Sequence, residues 1–132
     1  LEDVGMPLML SKVVAFAGTG ERFVYESGRS FSYAQLLSDA NHLCFALNNN
    51  QDMCGQRVAF LIERSYAYVA CTLGIWLAGA TCVPLCTAHP PAELAYYVAD
   101  SAAVCILAAT ETELATCTAV RDAHVPGIPV GR

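Results

Sequence analysis

The sequence predicts an α/β fold in which a parallel sheet is layered with crossover helices and preceded by a β-hairpin. Two short apolar runs, at 57–62 and 81–85, have the length of buried strands. Longer segments with helical periodicity, each begun by a capping residue or a proline, lie between and after these runs. Strands that alternate with helices through short loops indicate a parallel sheet, because parallel neighbours need a crossover connection.

The N-terminal part predicts one helix and the hairpin. Leu8–Phe16 can form an amphipathic helix within a weakly patterned N-terminal segment, residues 1–20. Phe23–Tyr25 and Arg29–Phe31 are two short runs on either side of a glycine turn, which is a hairpin signal. One layered unit, without an internal linker, is predicted for residues 21–132.

The clearest helix begins after the hairpin. Ser32 is a suitable N-cap, and Gln35 three residues later completes the pattern of a capping box. The helix is predicted to end at Asn48-Asn49-Asn50. Its apolar face covers four turns and consists of Tyr33, Leu36, Leu37, Ala40, Leu43, Cys44 and Leu47.

A strand and a second helix follow. Gly55 precedes the apolar strand Arg57–Ile62, and Ser65 is the N-cap of a helix that runs to about Ala78. Gly79 is predicted to end this helix, because a left-handed backbone conformation costs glycine least. The apolar side of the helix, including a tryptophan predicted to lie in the core, consists of Val69, Leu73, Trp76 and Leu77.

The next strand is predicted at Thr81–Leu85. Pro84 belongs at its end, because proline has no N–H to donate to a neighbouring strand. Pro91 suits the first turn of a third helix. The buried face predicted for that helix consists of Leu94, Tyr97 and Val98.

The C-terminal part continues the alternation. Val104–Leu107 is a further strand, and Thr110 with Glu113 forms a second capping box. This capping box begins a helix predicted over Glu111 to about Val120. Residues 125–130 are predicted to begin one more strand.

Composition excludes several classes of protein. A hydrophobic fraction of 55% with only 14% charged residues is too apolar for a disordered chain. The net charge of −5 argues against nucleic acid and against an anionic membrane surface as partners. Ser65–Ala92 carries no formal charge and is long enough to cross a bilayer, which keeps a membrane-associated module open as an alternative. Gly74, Gly79 and Pro84 within that run favour a buried helix-to-strand unit.

The seven cysteines predict neither disulfides nor a metal site. Their number is odd, no Cys-x-x-Cys pair occurs, and five of them lie in apolar runs. Buried thiols of this kind behave as small hydrophobic residues and suggest a reducing compartment. With no visible secretory signal peptide, this predicts an intracellular protein, cytoplasmic or mitochondrial. The cysteines are Cys44, Cys54, Cys71, Cys82, Cys86, Cys105 and Cys117.

Several motifs, in order and at the right spacing, resemble those of the adenylate-forming enzymes. Phe31–Leu36 is similar to the Leu-Thr-Tyr-x-Glu-Leu element of that family, and Gly55–Ala59 to its Gly-Asp-Arg-Val-Ala element. Leu77–Ala80 and Val83–Leu85 match its Lys-Ala-Gly-x and Val-Pro-Leu elements, and Leu94–Ser101 resembles the helix that follows. The family comprises acyl-CoA synthetases and the adenylation domains of peptide synthetases. The resemblance implies part of the large N-terminal domain of an acetyl-CoA synthetase-like fold.

Within the family, Pro84–Leu94 is most similar to the malonyl-CoA synthetase branch. Cys86-Thr87 stands where peptide-synthetase domains have Asp-Pro, which disfavours that alternative without removing it. The resemblance implies a ligase that joins malonate or another short acid to CoA. It uses ATP and Mg²⁺ and releases AMP and pyrophosphate.

The resemblance also implies which site residues the sequence contains. The loop after the Val-Pro-Leu strand would lie beside the CoA channel, which makes Cys86, Thr87, Ala88 and His89 candidate CoA contacts. No residue is assigned a catalytic role and none a metal. Cys86 is not expected to be a nucleophile, because nothing orients His89 as a base.

The 132 residues alone are expected to be inactive. The glycine-rich phosphate loop with its lysine, the ribose-binding Asp and the C-terminal catalytic lysine of the family are absent, and Gly18–Gly20 is too short to replace the loop. The expected partner is therefore the remainder of the same polypeptide, and the fragment alone is expected to bind no cofactor. A truncated, non-catalytic paralogue or splice product that binds a partner through an open sheet edge is the other alternative.

Overall fold

The computed structural model describes residues 8–49 and 51–132. Asn50, at the predicted end of the long helix, and the first seven residues of the N-terminal segment lie outside the described residues. The elements are α1 Leu8–Ala17, β1 Arg22–Glu26, β2 Arg29–Ser32, α2 Tyr33–Asn48, β3 Arg57–Leu61, α3 Tyr66–Leu77, β4 Thr81–Pro84, α4 Pro91–Asp100, β5 Cys105–Ala108, α5 Glu111–His124 and β6 Val130–Gly131.

The structure confirms the predicted α/β class. β1 and β2 form an antiparallel hairpin, and the remaining four strands form a parallel sheet in the order β4-β3-β5-β6. The hairpin turns at Ser27 and Gly28, whose φ angles of 48° and 76° are both left-handed. Two successive left-handed residues form the type I′ turn, which matches the twist of paired strands.

Side-chain hydrogen bonds begin the helices where the sequence predicts them. Ser32 Oγ accepts a hydrogen bond from Gln35 N–H at 3.1 Å, and Ser65 Oγ accepts one from Tyr68 N–H at 3.3 Å. The complete capping box is at Thr110 and Glu113. These bonds satisfy N–H groups of the first turn that have no partner within the helix.

Gly79 ends α3 as predicted. Its φ of 77° is left-handed. The Gly79 N–H group donates a hydrogen bond to the Trp76 carbonyl oxygen, and the Ala80 N–H group donates one to the Ile75 carbonyl oxygen. This pair of bonds is the Schellman motif. It turns the chain directly into β4.

Alternate residues of the sheet pack against two helical layers. Val58 and Phe60 point towards α2 and α3, whereas Ala59 and Leu61 point towards α4 and α5. Side chains of successive residues in a strand point to opposite faces, so β3 is buried on both. A third cluster joins α1, α2 and α3 through Leu10, Val13, Leu36, Ala40 and Leu73.

Two predicted core residues are in fact exposed. Trp76 is 40% exposed, because Ile75 and Cys71 occupy the face of α3 that packs on the sheet. Tyr97 is 39% exposed, and Ala95 takes its place on the buried face of α4. Both helices have more apolar residues than there are positions on the face that packs on the sheet, so some of these residues are exposed.

Some boundaries also differ from the prediction. α5 continues through His124, one turn beyond the predicted end near Val120. The last strand is confined to Val130–Gly131. The uncharged run 65–92 is divided between α3, β4 and the start of α4, and within the described residues no helix has the length and hydropathy needed to span a membrane.

Candidate functional site

The carboxyl ends of β3, β4 and β5 meet at one edge of the parallel sheet. Loops 62–65, 85–90 and 109–110 follow these strands and lead into α3, α4 and α5. Ligands of open parallel sheets bind in crevices outside this edge. This edge is therefore the candidate site.

The predicted CoA-contact loop, Cys86–His89, follows β4 at this edge. Its first three residues are exposed, and His89 is half-buried. The His89 N–H donates a hydrogen bond to the Cys86 carbonyl oxygen at 3.1 Å, which closes the loop into a tight turn. The loop is therefore accessible, and backbone bonding sets its shape.

The four predicted residues line different cavities around this turn, and Thr87 lines two of them. Thr87 and Ala88 line a cleft of about 640 Å³ on the side of the β3–α3 loop. His89 lines a groove of about 270 Å³ beside α4, and Cys86 lines both cavities. The structure thus does not bring all four residues together around one cavity.

The imidazole of His89 has an incomplete set of polar partners. Its Nδ1 atom is buried and, among the described residues, accepts and donates no hydrogen bond. The nearest carboxylate oxygen is Glu93 Oε2, at 3.9 Å from Nδ1. The ring lies 5.5 Å from that of Tyr97 between centroids.

A larger cleft of about 970 Å³ lies between the hairpin, α2 and the loops after β3 and β5. Aromatic rings form one wall: Phe31 stacks on Tyr66 at 3.8 Å between centroids, and the Arg29 guanidinium lies 5.2 Å from the Phe31 ring. Tyr66 Oη donates a hydrogen bond to Asp39 Oδ2 at 2.5 Å. Burial, together with this bond and the carboxylate charge, raises the pKa of Tyr66 far above its usual value. Tyr66 therefore stays neutral and links α2 to α3.

Glu113 holds the loops after β3 and β5 together. Its Oε1 accepts a hydrogen bond from Glu63 N–H at 2.8 Å. Its Oε2 accepts bonds from Ala109 N–H at 3.0 Å and Thr110 N–H at 2.9 Å. Burial disfavours the charged form, but these N–H donors outweigh it and hold the pKa of Glu113 below its usual range.

Only part of this arrangement is predicted by the sequence. The Thr110–Glu113 capping box is predicted, whereas Glu63 lies 50 residues away and is assigned no bond to Glu113. No local pattern signals that contact. It follows from the pairing of β3 with β5, which places the two loops side by side.

Burial determines the reactivity of four of the seven cysteines. All seven are free, and the described residues contain no group of three or more His, Cys, Asp or Glu side chains suited to hold a metal ion. Burial raises the pKa of Cys71 to about 12, with Cys82 and Cys105 nearby adding to the effect. Burial also raises the pKa of Cys82, Cys105 and Cys117 to about 11. These four thiols stay protonated and unreactive near neutral pH.

Comparison with known families gives a match along most of the chain. The model for the family described as "AMP-binding enzyme" matches residues 13–129. The match covers all the motifs that resemble the adenylate-forming enzymes and the whole carboxyl edge described above.

Two curated relatives come from different branches of such enzymes. A mitochondrial malonate–CoA ligase of Xenopus laevis is 39% identical over 74 residues, which are 56% of this chain and 11% of that protein. A linear gramicidin synthase polypeptide of Brevibacillus parabrevis is 38% identical over 97 residues, which are 74% of this chain and 2% of that protein. The chain therefore spans a small part of the length of both relatives.

The structural comparison confirms the predicted fold. The solved structure of VinN with L-aspartate has a TM-score of 0.76 at 21% identity, covering 91% of this chain and 30% of that chain. At that identity the likeness concerns the fold alone. The shared fold is that of the N-terminal domain of adenylate-forming enzymes.

Proposed function

The chain belongs to the AMP-binding enzyme family, and from this premise we propose that it forms the N-terminal part of an ATP-dependent acid–CoA ligase. Its acid substrate is malonate or another short carboxylic acid. The observation that carries this proposal is the 39% identity to a malonate–CoA ligase over 74 residues. The Cys86-Thr87 pair, where peptide-synthetase domains have Asp-Pro, points the same way.

A second candidate is the adenylation domain of a peptide synthetase. The 38% identity to a linear gramicidin synthase polypeptide over 97 residues favours it. The two candidates differ in the second half of the reaction, because only the ligase passes its acyl group to free CoA. They also differ in the acid, since one takes a short carboxylic acid and the other an amino acid.

The CoA-contact role of Cys86, Thr87, Ala88 and His89 is part of the proposal. The observation that supports it is that the loop is accessible at the edge where ligands of parallel sheets bind. Arg64 lines the same cleft as Thr87 and supplies a positive charge suited to an anionic group. CoA, when bound, supplies the thiol that takes the acyl group.

The described residues do not fit the phosphates of ATP. Lys12 is the only lysine in the sequence, and it lies exposed on α1, outside the clefts of the carboxyl edge. No glycine-rich loop follows β3, β4 or β5. We therefore propose that these 132 residues alone neither adenylate an acid nor form a thioester, and that ATP and Mg²⁺ are held by the remainder of the polypeptide.

The domain assignment and the location of the protein also belong to the proposal. Residues 21–132 form a partial AMP-binding domain and residues 1–20 a segment before it, although the family match reaches back to residue 13. Packing of Leu10 and Val13 against α2 attaches this segment to the layered unit. An intracellular location, cytoplasmic or mitochondrial, agrees with the mitochondrial relative.

The test begins with the native length of the polypeptide, read from the full-length transcript and the intact mass. The native-length protein is then assayed for pyrophosphate exchange into ATP with malonate, acetate and amino acids, and for thioester formation with CoA. Malonate-dependent exchange with malonyl-CoA formation is the expected result. Amino-acid-dependent exchange without transfer to CoA would favour the peptide synthetase, and exchange by the 132 residues alone would contradict their proposed inactivity.

A further inference from the structure

Glu113 is a buried carboxylate with more partners than its helix requires. It is 7% exposed, and it is the one buried charged residue among the described residues. In a capping box the N3 carboxylate accepts only one hydrogen bond, here from Thr110 N–H, while Thr110 Oγ1 accepts one from Glu113 N–H. The bond from Glu63 N–H to Glu113 Oε1, at 2.8 Å, adds a second chain segment that α5 itself does not need.

The free-energy cost of burying this charge indicates that Glu113 holds the neighbouring loops in position. An ionised carboxylate is expensive to bury unless hydrogen bonds compensate for lost water. Here the compensation comes from backbone N–H groups at the ends of two neighbouring strands, so the carboxylate fixes the distance between the loops after β3 and β5. An apolar residue could fill the space but could not bind these three donors.

The bond to Glu63 also fixes the wall opposite the Cys86–His89 loop. Glu63 and Arg64 line the cleft of about 640 Å³ together with Thr87 and Ala88. The side chains of Glu63 and Arg64 are exposed, and hydrogen bonds of the Glu63 backbone hold this turn. Ser65 Oγ donates one to the Glu63 carbonyl oxygen at 2.9 Å within the turn, whereas the bond from Glu63 N–H to Glu113 joins the turn to α5. A shift of the turn would change the width of the cleft and the position of the Arg64 charge.

We propose that Glu113 is a positioning residue that fixes the Glu63–Arg64 turn opposite the Cys86–His89 loop and thereby sets the affinity for CoA. This inference rests on the proposed acid–CoA ligase function. Glu113 does not line the cleft that Thr87 and Ala88 line, so it would act on CoA through the Glu63–Arg64 turn. Its effect is therefore expected in the CoA-dependent half of the reaction and not in the half that uses ATP and the acid.

The test compares two variants of Glu113 with a matched control in the native-length protein. Glu113→Gln keeps the shape but places an amide N–H₂ against N–H donors, and Glu113→Asp keeps the charge on a shorter side chain. Val120→Ala is the control, because Val120 is also buried on the same helix and lines none of the three cavities described at the carboxyl edge. Unfolding temperatures show whether each variant folds.

Glu113→Gln is expected to raise the KM for CoA by about tenfold or more, since misplacement of a site by about 1 Å can cost about 100-fold. Its pyrophosphate exchange is expected to stay within about twofold of wild type. Val120→Ala should lower the unfolding temperature without changing the KM for CoA. Glu113→Asp should give an intermediate KM and serves as the test if the Gln variant does not fold.

Two results would overturn the inference while leaving the proposed function intact. One is an unchanged KM for CoA in a folded Glu113 variant. The other is an equal loss in both halves of the reaction, matching the loss in Val120→Ala, which would mean that Glu113 only stabilises the fold. If the wild-type protein shows neither exchange nor thioester formation, the proposed function fails and the role in CoA affinity fails with it.

Discussion

Single thiols offer a direct probe of the proposed CoA loop, because the seven cysteines differ in exposure and in acidity. Cys54 and Cys86 are exposed, whereas Cys71 and Cys117 are buried and have pKa values raised to about 12 and about 11 by burial. The thiolate is the reactive form of cysteine. A raised pKa leaves almost no thiolate at pH 8, so the buried thiols should resist alkylation while the native fold is intact.

We expect iodoacetamide at pH 8 to modify Cys54 and Cys86 first, as read by peptide mass spectrometry. In the native-length protein, a desulfo analogue of CoA, which cannot consume the reagent, should slow modification of Cys86 and leave that of Cys54 unchanged. Cys54 is the matched control, because it is equally exposed but lies outside the loop at the carboxyl edge. Equal labelling of Cys86 with and without the analogue would contradict the CoA-contact proposal.

Residue by residue, the candidate site was predictable only where a local pattern encodes it. The Cys86–His89 loop could be located from the Val-Pro-Leu strand before it and Pro91 after it. The distribution of its residues among different cavities could not be predicted, because it depends on the turn closed by the His89 N–H and on the elements that surround this turn. The contact of Glu113 with Glu63 likewise requires the order of strands in the sheet.

At the scale of elements, α2 and α3 pack so closely that a glycine is required between them. A Cβ atom at Gly74 would lie 2.8 Å from Leu43 Cβ and 3.0 Å from the Ala40 carbonyl oxygen. Neither atom can move away by a side-chain rotation alone. Gly74 is therefore needed for the close approach of the two helices and not for an unusual backbone conformation.

Gly74→Ala is expected to destabilise the protein despite the better helix propensity of alanine. Overpacking costs about 1–3 kcal/mol, and the gain in propensity offsets about 1 kcal/mol of that. We expect a net loss of up to about 2 kcal/mol in the free energy of unfolding, measured by urea denaturation. The matched control is Gly18→Ala, whose added Cβ would meet no atom within 4 Å, and an equal effect of both changes would refute the packing argument.

Most elements could be predicted because they begin with strong local signals. Ser32, Ser65 and Thr110 mark three helix starts through side-chain bonds to nearby N–H groups, and Gly79 marks a helix end. Which face of a helix packs on the sheet was harder to predict. α3 is apolar on several sides, so periodicity alone could not show that Trp76 faces outwards.

At the scale of the whole molecule, the layered unit leaves large apolar side chains on its surface. Phe45 on α2 is 76% exposed, Tyr96 on α4 is 63% exposed and Met9 on α1 is 59% exposed. In the described part of the chain, β4 and β6 each pair with one neighbour only. Open strand edges and exposed apolar patches favour association with other polypeptide segments.

The chain is either part of an acid–CoA ligase or a truncated binding protein, and the exposed apolar surface predicts different self-association for the two. If the remainder of an acid–CoA ligase covers them, a polypeptide of these 132 residues should self-associate as its concentration rises, whereas the native-length protein should not. Sedimentation velocity of both polypeptides over a hundredfold concentration range would measure this. Phe45→Ser should weaken the association of the short polypeptide, and Ala46→Ser, an exposed neighbour without a large apolar side chain, serves as the control. If the short polypeptide stays monomeric and unfolds in one sharp transition, its surface needs no cover, and the truncated binding protein becomes the better explanation.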